Sequence, residues 1–309
     1  MNDTAAPLSA SVSTPLFAWW HANARDLPWR FGRTTPWGVL VSEVMSQQTQ
    51  MSRVVPYWEG WMAVWPDAAS LAHASKAEVI TAWGRLGYPR RALRLQECAR
   101  AVADECGDEL PRDYDGLTAL PGIGDYTASA VLSFAFGERI AVVDTNIRRV
   151  LSRLFLGVES RGGAASPAER ELANRALPED AARSVTWNQA VMELGALVCT
   201  AKAPACDVCP VAHRCAFLAA GRPGLGERRT RPRQRFQGTD RQVRGIVLDA
   251  LRKLPGDVRG GNAGAGASLP RVQVERLWKD RAQLDACIAS LDEDGLIEIQ
   301  PDGSLRLPA

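Results

Sequence analysis

The sequence has almost no excess of charge of either sign: Lys and Arg number 37 and Asp and Glu 35, a formal net charge of +2. That balance excludes a wholly basic packaging protein and leaves local patches open. No apolar run approaches the roughly 20 residues that a membrane-spanning helix needs, so no transmembrane helix is expected. Residues 1–14 lack the basic-then-apolar order of a secretory signal, so the expected location is cytoplasmic, with no membrane partner. Alternating strand and helix signals are also missing, which argues against a parallel α/β sheet. What is present is an apolar share of 46% beside 23% charged residues, too much hydrophobic content for a disordered chain. The length suits two domains, or three if one is small.

Helical periodicity dominates. Leu40, Val44, Met51 and Val55 repeat on one face between Trp37 and Tyr57, and further helices are expected over 68–83, 90–105, 124–136, 145–156, 167–177 and 187–198. Pro, Gly, Asp and Ser punctuate them. Beyond these, Gly221 to Phe236 carries Arg222, Arg228, Arg229, Arg231, Arg233 and Arg235 against the single acid Glu227. This basic linker suits a polyanion or serves as a solvated tether. A small unit follows. Helices are expected over 240–254, 272–278 and 281–291, with a Gly/Ala-rich mobile stretch between Pro255 and Ser268. Residues 296–299 and 304–307 alternate around Pro301-Asp302-Gly303, a hairpin signal. Three helices and a hairpin fit a winged helix. Acids balance bases on its second and third helices, so a packing or partner role is at least as well supported as groove reading.

The seven cysteines are unevenly placed. Cys98, Cys106 and Cys287 are scattered, whereas Cys199, Cys206, Cys209 and Cys215 form a C-x6-C-x2-C-x5-C cluster. The odd total in a chain without a secretory signal argues against disulfides. Four thiolates suit a [4Fe–4S] cube or tetrahedral zinc. One close pair, where zinc knuckles bring two, favours the cube; a Cys3His zinc site using His213 stays open.

Leu120-Pro121-Gly122-Ile123-Gly124 separates two helical stretches. Its glycines permit a tight turn with backbone N–H groups uncovered at a helix start, either a phosphate nest or a plain helix–turn–helix corner. Asp144, before the helical run from Thr145, is a natural helix N-cap that can also face a ligand. Glu43 is polar within an apolar helical stretch, and Gln47 lies one turn on; by periodicity alone this is a solvated face.

Taken together these motifs carry a resemblance. The cysteine spacing, after Trp187-Asn188-Gln189-Ala190 and Leu194-Gly195-Ala196, is similar to the iron–sulfur end of the endonuclease III/MutY superfamily of DNA glycosylases. The hairpin followed by Asp144 resembles that superfamily's helix–hairpin–helix motif. Glu43-Val44-Met45-Ser46-Gln47-Gln48-Thr49, with Leu27-Pro28-Trp29-Arg30 before it and Gly84-Arg85-Leu86-Gly87-Tyr88 after it, resembles the MutY-type adenine DNA glycosylases. The likeness spans about residues 20–218.

The resemblance implies an all-α helix–hairpin–helix glycosylase fold, a six-helix barrel plus an iron–sulfur helical domain, here followed by a small winged-helix-like α+β unit. Its expected division is 1–14 disordered; 15–30 with 138–220, the cluster domain; 31–137, the barrel with the hairpin; 221–238, the linker; and 239–309, the small unit. It implies a monomer that acts on double-stranded DNA, flips an adenine mispaired with 8-oxoguanine or guanine, and hydrolyses its glycosidic bond. Glu43 would be the general acid at adenine N7, protonated in an apolar pocket, and Asp144 would stabilise the oxocarbenium-like sugar. Tyr126 and Asn146 would position them. Tyr126 stands where strand-cleaving members have a lysine, and a tyrosine forms no Schiff base, so the enzyme would be monofunctional.

For DNA the resemblance implies Gly122, Gly124 and Lys202 on phosphates. Gln48 and Tyr88 would be the wedge, beside Gln47, and Trp29, Arg30 and Gln189 the adenine pocket. Four cysteines would hold a structural [4Fe–4S] cluster. Arg85, Arg90, Arg91 and Arg94 cluster around Tyr88 as a basic patch for DNA. The sequence departs from the family at Ser46, at Pro89 and at the C-terminal end. No match to the larger domain that inspects 8-oxoguanine is found after the linker. A relative that excises another base, such as mispaired thymine or an oxidised pyrimidine, and a catalytically idle DNA-binding protein are the alternatives.

Overall fold

The computed structural model describes residues 7–160, 162–227, 235–254 and 267–309. Parts of the basic linker and of the Gly/Ala-rich stretch lie outside these residues. The N-terminal part of the chain runs through α1 (Ser13–Asn23), α2 (Pro36–Ser46), α3 (Met51–Val64), α4 (Ala68–Ala72), α5 (Lys76–Trp83) and α6 (Arg90–Glu105). Next come α7 (Tyr114–Ala119), α8 (Asp125–Phe134), α9 (Thr145–Leu151), α10 (Pro167–Ala176), α11 (Ala181–Leu197) and α12 (Ala216–Ala219). The C-terminal part holds α13 (Asp240–Arg252), β1 (Ser268–Leu269), α14 (Arg271–Val274), α15 (Arg281–Glu293), β2 (Glu298–Ile299) and β3 (Leu305–Arg306). A short 3-10 turn at Leu8–Ser11 precedes α1, inside the stretch 1–14 for which disorder is expected. Among the described residues no helix is long and apolar enough to cross a membrane.

Several boundaries differ from the periodicity, each for a local reason. The single face read from Trp37 to Tyr57 is two helices, because Gln48 takes a left-handed φ of 55° between α2 and α3. Residues 68–83 break at Ser75, whose hydroxyl accepts from the Glu78 N–H at 3.2 Å while Glu78 Oε2 accepts from the Ser75 N–H at 2.8 Å. This reciprocal capping box starts a new helix. Helix α11 begins at Ala181 rather than 187, capped by the Asp180 side chain on the Arg183 N–H. The expected helix over 272–278 shortens to α14, and β1 was not foreseen because only two of its residues are extended.

Contacts divide the chain into two compact units, the first holding residues 1–39, 112–118 and 124–231 and the second 40–111, 119–123 and 232–309. In the first, Trp187, Ala190, Val191, Leu194 and Val198 recur at spacings of three and four along α11 and its cap. They pack with Leu16 and Trp20 of α1 and with Ile147, Val150 and Leu151 of α9. Burying each large side chain contributes about 1.5–3 kcal/mol, which fixes α9 against α11.

In the second unit Trp61 and Trp83 are buried edge to face, with ring centroids 5.7 Å apart. Its C-terminal residues form a three-stranded antiparallel sheet in the order β1-β3-β2, with Leu305 opposite Leu269 and Ile299. Val243, Val247 and Leu251 of α13 and Leu284, Ile288 and Leu291 of α15 share one core with Ala77 and Ile80 of α5. The C-terminal helices are therefore packed on α5.

Candidate active site and metal centre

Asp144 is the N-cap of α9. Its backbone is extended, and Oδ1 accepts from the Ile147 N–H at 2.6 Å. Oδ2 accepts from Asn146 Nδ2 at 2.9 Å. Asn146 Oδ1 in turn accepts from the Arg149 guanidinium at 2.8 Å, and Arg149 donates onward to the carbonyls of Gly195 at 2.7 Å and Cys199 at 2.8 Å. Gly195 is required here, since a Cβ would lie 2.7 Å from Asn146 Cβ. Burial pushes the Asp144 carboxyl above the usual range, against the Ile147 and Asn146 donors and the Arg149 charge. A carboxylate so enclosed gains strongly from a cation placed beside it. Tyr126, in the first turn of α8, is half-buried against the core of the same unit.

Trp29 and Arg30 follow α1 in a turn, both half-buried. Arg30 donates to Glu193 Oε2 at 2.7 Å. Glu193 is fully buried and also accepts from the Arg25 N–H at 2.9 Å, Nε at 2.8 Å and the guanidinium NH2 at 2.9 Å. Burial alone would raise this carboxyl, but hydrogen bonds from Arg25 and Arg30 bring it down to about 2. Gln189 is half-buried one turn before Glu193 on α11, so α11 organises Arg30 and Gln189 together. Glu193 was not foreseen. Its one sequence signal is an acid among apolar residues in α11.

Glu43 belongs to the second unit and is half-buried on α2. Gln47 and Gln48 lie just past the end of that helix rather than on it. Tyr88 has a left-handed φ of 49° and is 54% exposed. Arg91 ties these pieces together. It donates to the carbonyls of Val44 at 2.8 Å, Gln47 at 2.6 Å and Gly87 at 3.1 Å, and to Thr49 Oγ1 at 3.3 Å. Its guanidinium also lies over the rings of Trp83 and Tyr88, 5.2 and 5.5 Å from their centroids.

Of the four arginines expected as a basic patch, Arg85, Arg90 and Arg94 are exposed and Arg91 is not. Arg91 is turned inward, and Arg85 and Arg90 are paired with Asp249 and Asp294. Arg94 is exposed beside Gly122.

At the hairpin, Gly122 has a φ of 77°, and a Cβ there would meet Arg94 Cβ at 3.3 Å. Gly124 is the N-cap of α8 and, lacking a side chain, supplies no side-chain cap to the first turn. Nothing within 4 Å crowds the position a Cβ would take there.

Cys199, Cys206, Cys209 and Cys215 line one hollow of about 330 Å³, counted with its open mouth, together with Arg153 and Phe217. Cys199 follows the end of α11, Cys206 opens a 3-10 turn, and Cys215 is the N-cap of α12. Arg153 is buried behind them, donating to Cys199 Sγ at 3.4 Å and to the Thr200 carbonyl at 2.8 Å, with Glu159 at 2.6 Å as its counter-ion.

A single zinc would draw four thiolates within about 4 Å of one another, given Zn–S bonds of about 2.3 Å. Among the described residues no group of three or more His, Cys, Asp or Glu side chains is arranged to hold a metal ion in that way. His213 is exposed and does not line the hollow. Four thiolates spread around a cavity, with a buried arginine against their charge, fit a [4Fe–4S] cluster. Lys202 is exposed on the loop between Cys199 and Cys206.

The comparisons with known proteins agree with this arrangement. The model of HhH-GPD superfamily base excision DNA repair proteins matches residues 41–175, and that of the iron-sulfur binding domain of endonuclease III matches residues 199–215. An adenine DNA glycosylase of Mycolicibacterium smegmatis is 46% identical over 294 residues, covering 94% of each chain. One of Mycobacterium tuberculosis is 42% identical over 296 residues, covering 96% of this chain and 93% of its own. The structure of a thermostable thymine-DNA glycosylase superposes with a TM-score of 0.62 at 28% identity, covering 67% of this chain and 95% of that one. Both mycobacterial matches thus extend over residues that the thymine-DNA glycosylase lacks. The chain belongs to the adenine DNA glycosylase family of the helix–hairpin–helix base excision repair superfamily, and it carries that superfamily's iron–sulfur binding domain.

Proposed function

We propose that the protein is a monofunctional glycosylase that removes adenine mispaired with 8-oxoguanine or guanine from double-stranded DNA, acting as a cytoplasmic monomer. The observation that carries this reading is the Asp144 carboxylate, enclosed and gripped by the Ile147 N–H and Asn146 Nδ2, in a chain 46% identical to an adenine DNA glycosylase.

The chemistry follows from the leaving group. Adenine leaves C1′ with the electron pair of the glycosidic bond, so its departure needs a proton on the ring. Glu43 delivers that proton to N7. Positive charge grows on the sugar as the bond breaks, and Asp144 stabilises it, with Asn146 holding the carboxylate in place. Water then adds to C1′, losing a proton to the Glu43 carboxylate, so no covalent change remains on the protein. Tyr126 positions the pair and offers no amine for a Schiff base, which leaves the DNA strand intact.

Around this centre, Trp29, Arg30 and Gln189 enclose the flipped base, and Gln48 and Tyr88 fill the gap it leaves, with Gln47 beside them. Gly122, Gly124 and Lys202 hold phosphates. Cys199, Cys206, Cys209 and Cys215 would hold the [4Fe–4S] cluster, which when bound supplies structural order to the Lys202 loop.

A single-turnover panel tests the reading. Adenine release from A:8-oxoguanine and A:G duplexes should exceed thymine release from T:G and base release from thymine glycol. Faster release from either of the last two would overturn it, and so would strand cleavage without added base.

A further inference from the structure

We propose that the C-terminal helices and sheet brace the loop that carries Tyr88, with Asp249 and Asp294 as positioning residues for that tyrosine. This inference rests on the reading of Tyr88 as the wedge. Three of the loop's residues, Gly84, Gly87 and Tyr88, have left-handed φ values of 50°, 87° and 49°. Glycine adopts such values freely, so the strain sits at Tyr88, and a residue so strained persists only where its surroundings over-determine it.

Both flanks of the loop are engaged from the C-terminal side. Arg85, three residues before Tyr88, is gripped by Asp249 of α13 through Nε at 3.2 Å and NH2 at 2.8 Å. Asp249 is itself pinned by Lys253 at 2.8 Å. Arg90, two residues after Tyr88, pairs at 3.2 Å with Asp294, which Arg244 of α13 holds at 2.5 Å. Beneath these pairs, Arg252 donates to the Ile80 carbonyl at 3.0 Å. Ala77 and Ile80 of α5 and Leu93 of α6 enter the core of α13 and α15. The elements before and after the loop are thus packed on one C-terminal core, and two carboxylates reach from it to the loop's ends.

Exposed ion pairs contribute little to global stability, and the apolar core holds the C-terminal residues without them. What the two pairs select is the loop's position. With Arg85 and Arg90 each engaged by a C-terminal carboxylate, the Tyr88 loop approaches DNA with its position set by protein contacts.

Two measurements on the full-length, cluster-containing protein test the proposal. Amide hydrogen exchange needs no substrate: the double variant D249N/D294N should raise exchange of residues 84–88 by about threefold or more while sparing α11. Unchanged exchange there would overturn the brace. The second is a double-mutant cycle on adenine release from A:8-oxoguanine and A:G duplexes. D249N/D294N should reduce the rate ratio between the two duplexes by about threefold, and D249E/D294E, which keeps both charges, should restore part of it. In a Tyr88→Ala background the same double variant should change nothing further. A loss that persists there would show the carboxylates acting on DNA charge instead, which overturns the proposal. Should Tyr88→Ala leave the ratio untouched, the wedge reading fails, and exchange still decides whether the loop is braced.

Discussion

Two regions of this molecule hold residues under opposite kinds of tension. Around Asp144, in the first unit, an acidic group is enclosed and every polar neighbour named above is fixed by short hydrogen bonds, as far back as the Cys199 carbonyl. Around Gln48 and Tyr88, in the second, the side chains are exposed and the cost lies in the backbone, at φ values of 55° and 49°. One region stores electrostatic cost and the other conformational cost. The first suits a group that must meet a developing charge without moving, and the second suits residues that must stand out from the surface to probe a strand.

The comparison breaks first at Asp144. Asp144→Asn should slow base release by at least about a hundredfold, measured in single turnover, as expected for removal of a preorganised electrostatic group. It should not destabilise the fold at neutral pH, because Asn is as good an N-cap as Asp. The folded carboxyl is raised above its unfolded value by burial, so its favourable contribution is present in acid and lost as pH rises through the folded value. At neutral pH the wild type carries that cost and the neutral variant does not. Thermal unfolding should therefore show the variant equal or more stable at pH 7, with its advantage shrinking as pH falls. A variant less stable at pH 7 would mean that the donors around Asp144 outweigh its burial.

Glu193 is the buried anchor of the same unit, and its tension runs the other way. Its carboxyl is held at about 2, so its stabilisation is present above the unfolded value of about 4.3 and is lost as pH falls toward 2. Glu193→Gln leaves Arg25 and Arg30 without their counter-charge and should cost about 3–5 kcal/mol in urea unfolding at pH 7, the usual penalty for half of a buried pair. The variant should also lose the wild type's acid-induced drop in stability over that window.

The matching anchor in the second unit is Arg91. Arg91→Lys keeps the charge but not the fork that reaches Val44, Gln47, Thr49 and Gly87 at once. It should cost about 1–3 kcal/mol, since carbonyls at the end of α2 lose their donor. The loss should be nearly independent of pH between 5 and 8, unlike that of Glu193→Gln as acid is added.

How much of this was legible depended on range. The cysteine spacing, the hairpin glycines and Asp144 were readable because each is a short local pattern whose chemistry depends on neighbours in sequence. The second unit's tension was not, because Gln48 breaks a helix without a glycine or proline to announce it. Glu193 reaches Arg25 and Arg30 across 168 and 163 residues, and no local spacing predicts such pairs. Arginines around Tyr88 read as a patch for DNA, yet Arg85 and Arg90 meet carboxylates from beyond residue 240. The sequence counted their charge correctly and could not show where it was spent.

The smallest expected effect distinguishes the two tensions most cleanly. Gln48 is exposed and holds a left-handed backbone that glycine adopts freely. Gln48→Gly should stabilise the protein by roughly 1 kcal/mol, since a side chain in that conformation costs about 1–2 kcal/mol and glycine returns part of it as unfolded-state entropy. Adenine release should slow while the fold gains stability, the same pairing of outcomes expected at Asp144. The gain at Gln48 should be flat with pH, because no proton is involved, whereas the gain at Asp144 should vanish in acid. If Gln48→Gly lowers stability, the turn is held by its side chain rather than against its backbone, and the contrast between the two regions would collapse into one kind of packing.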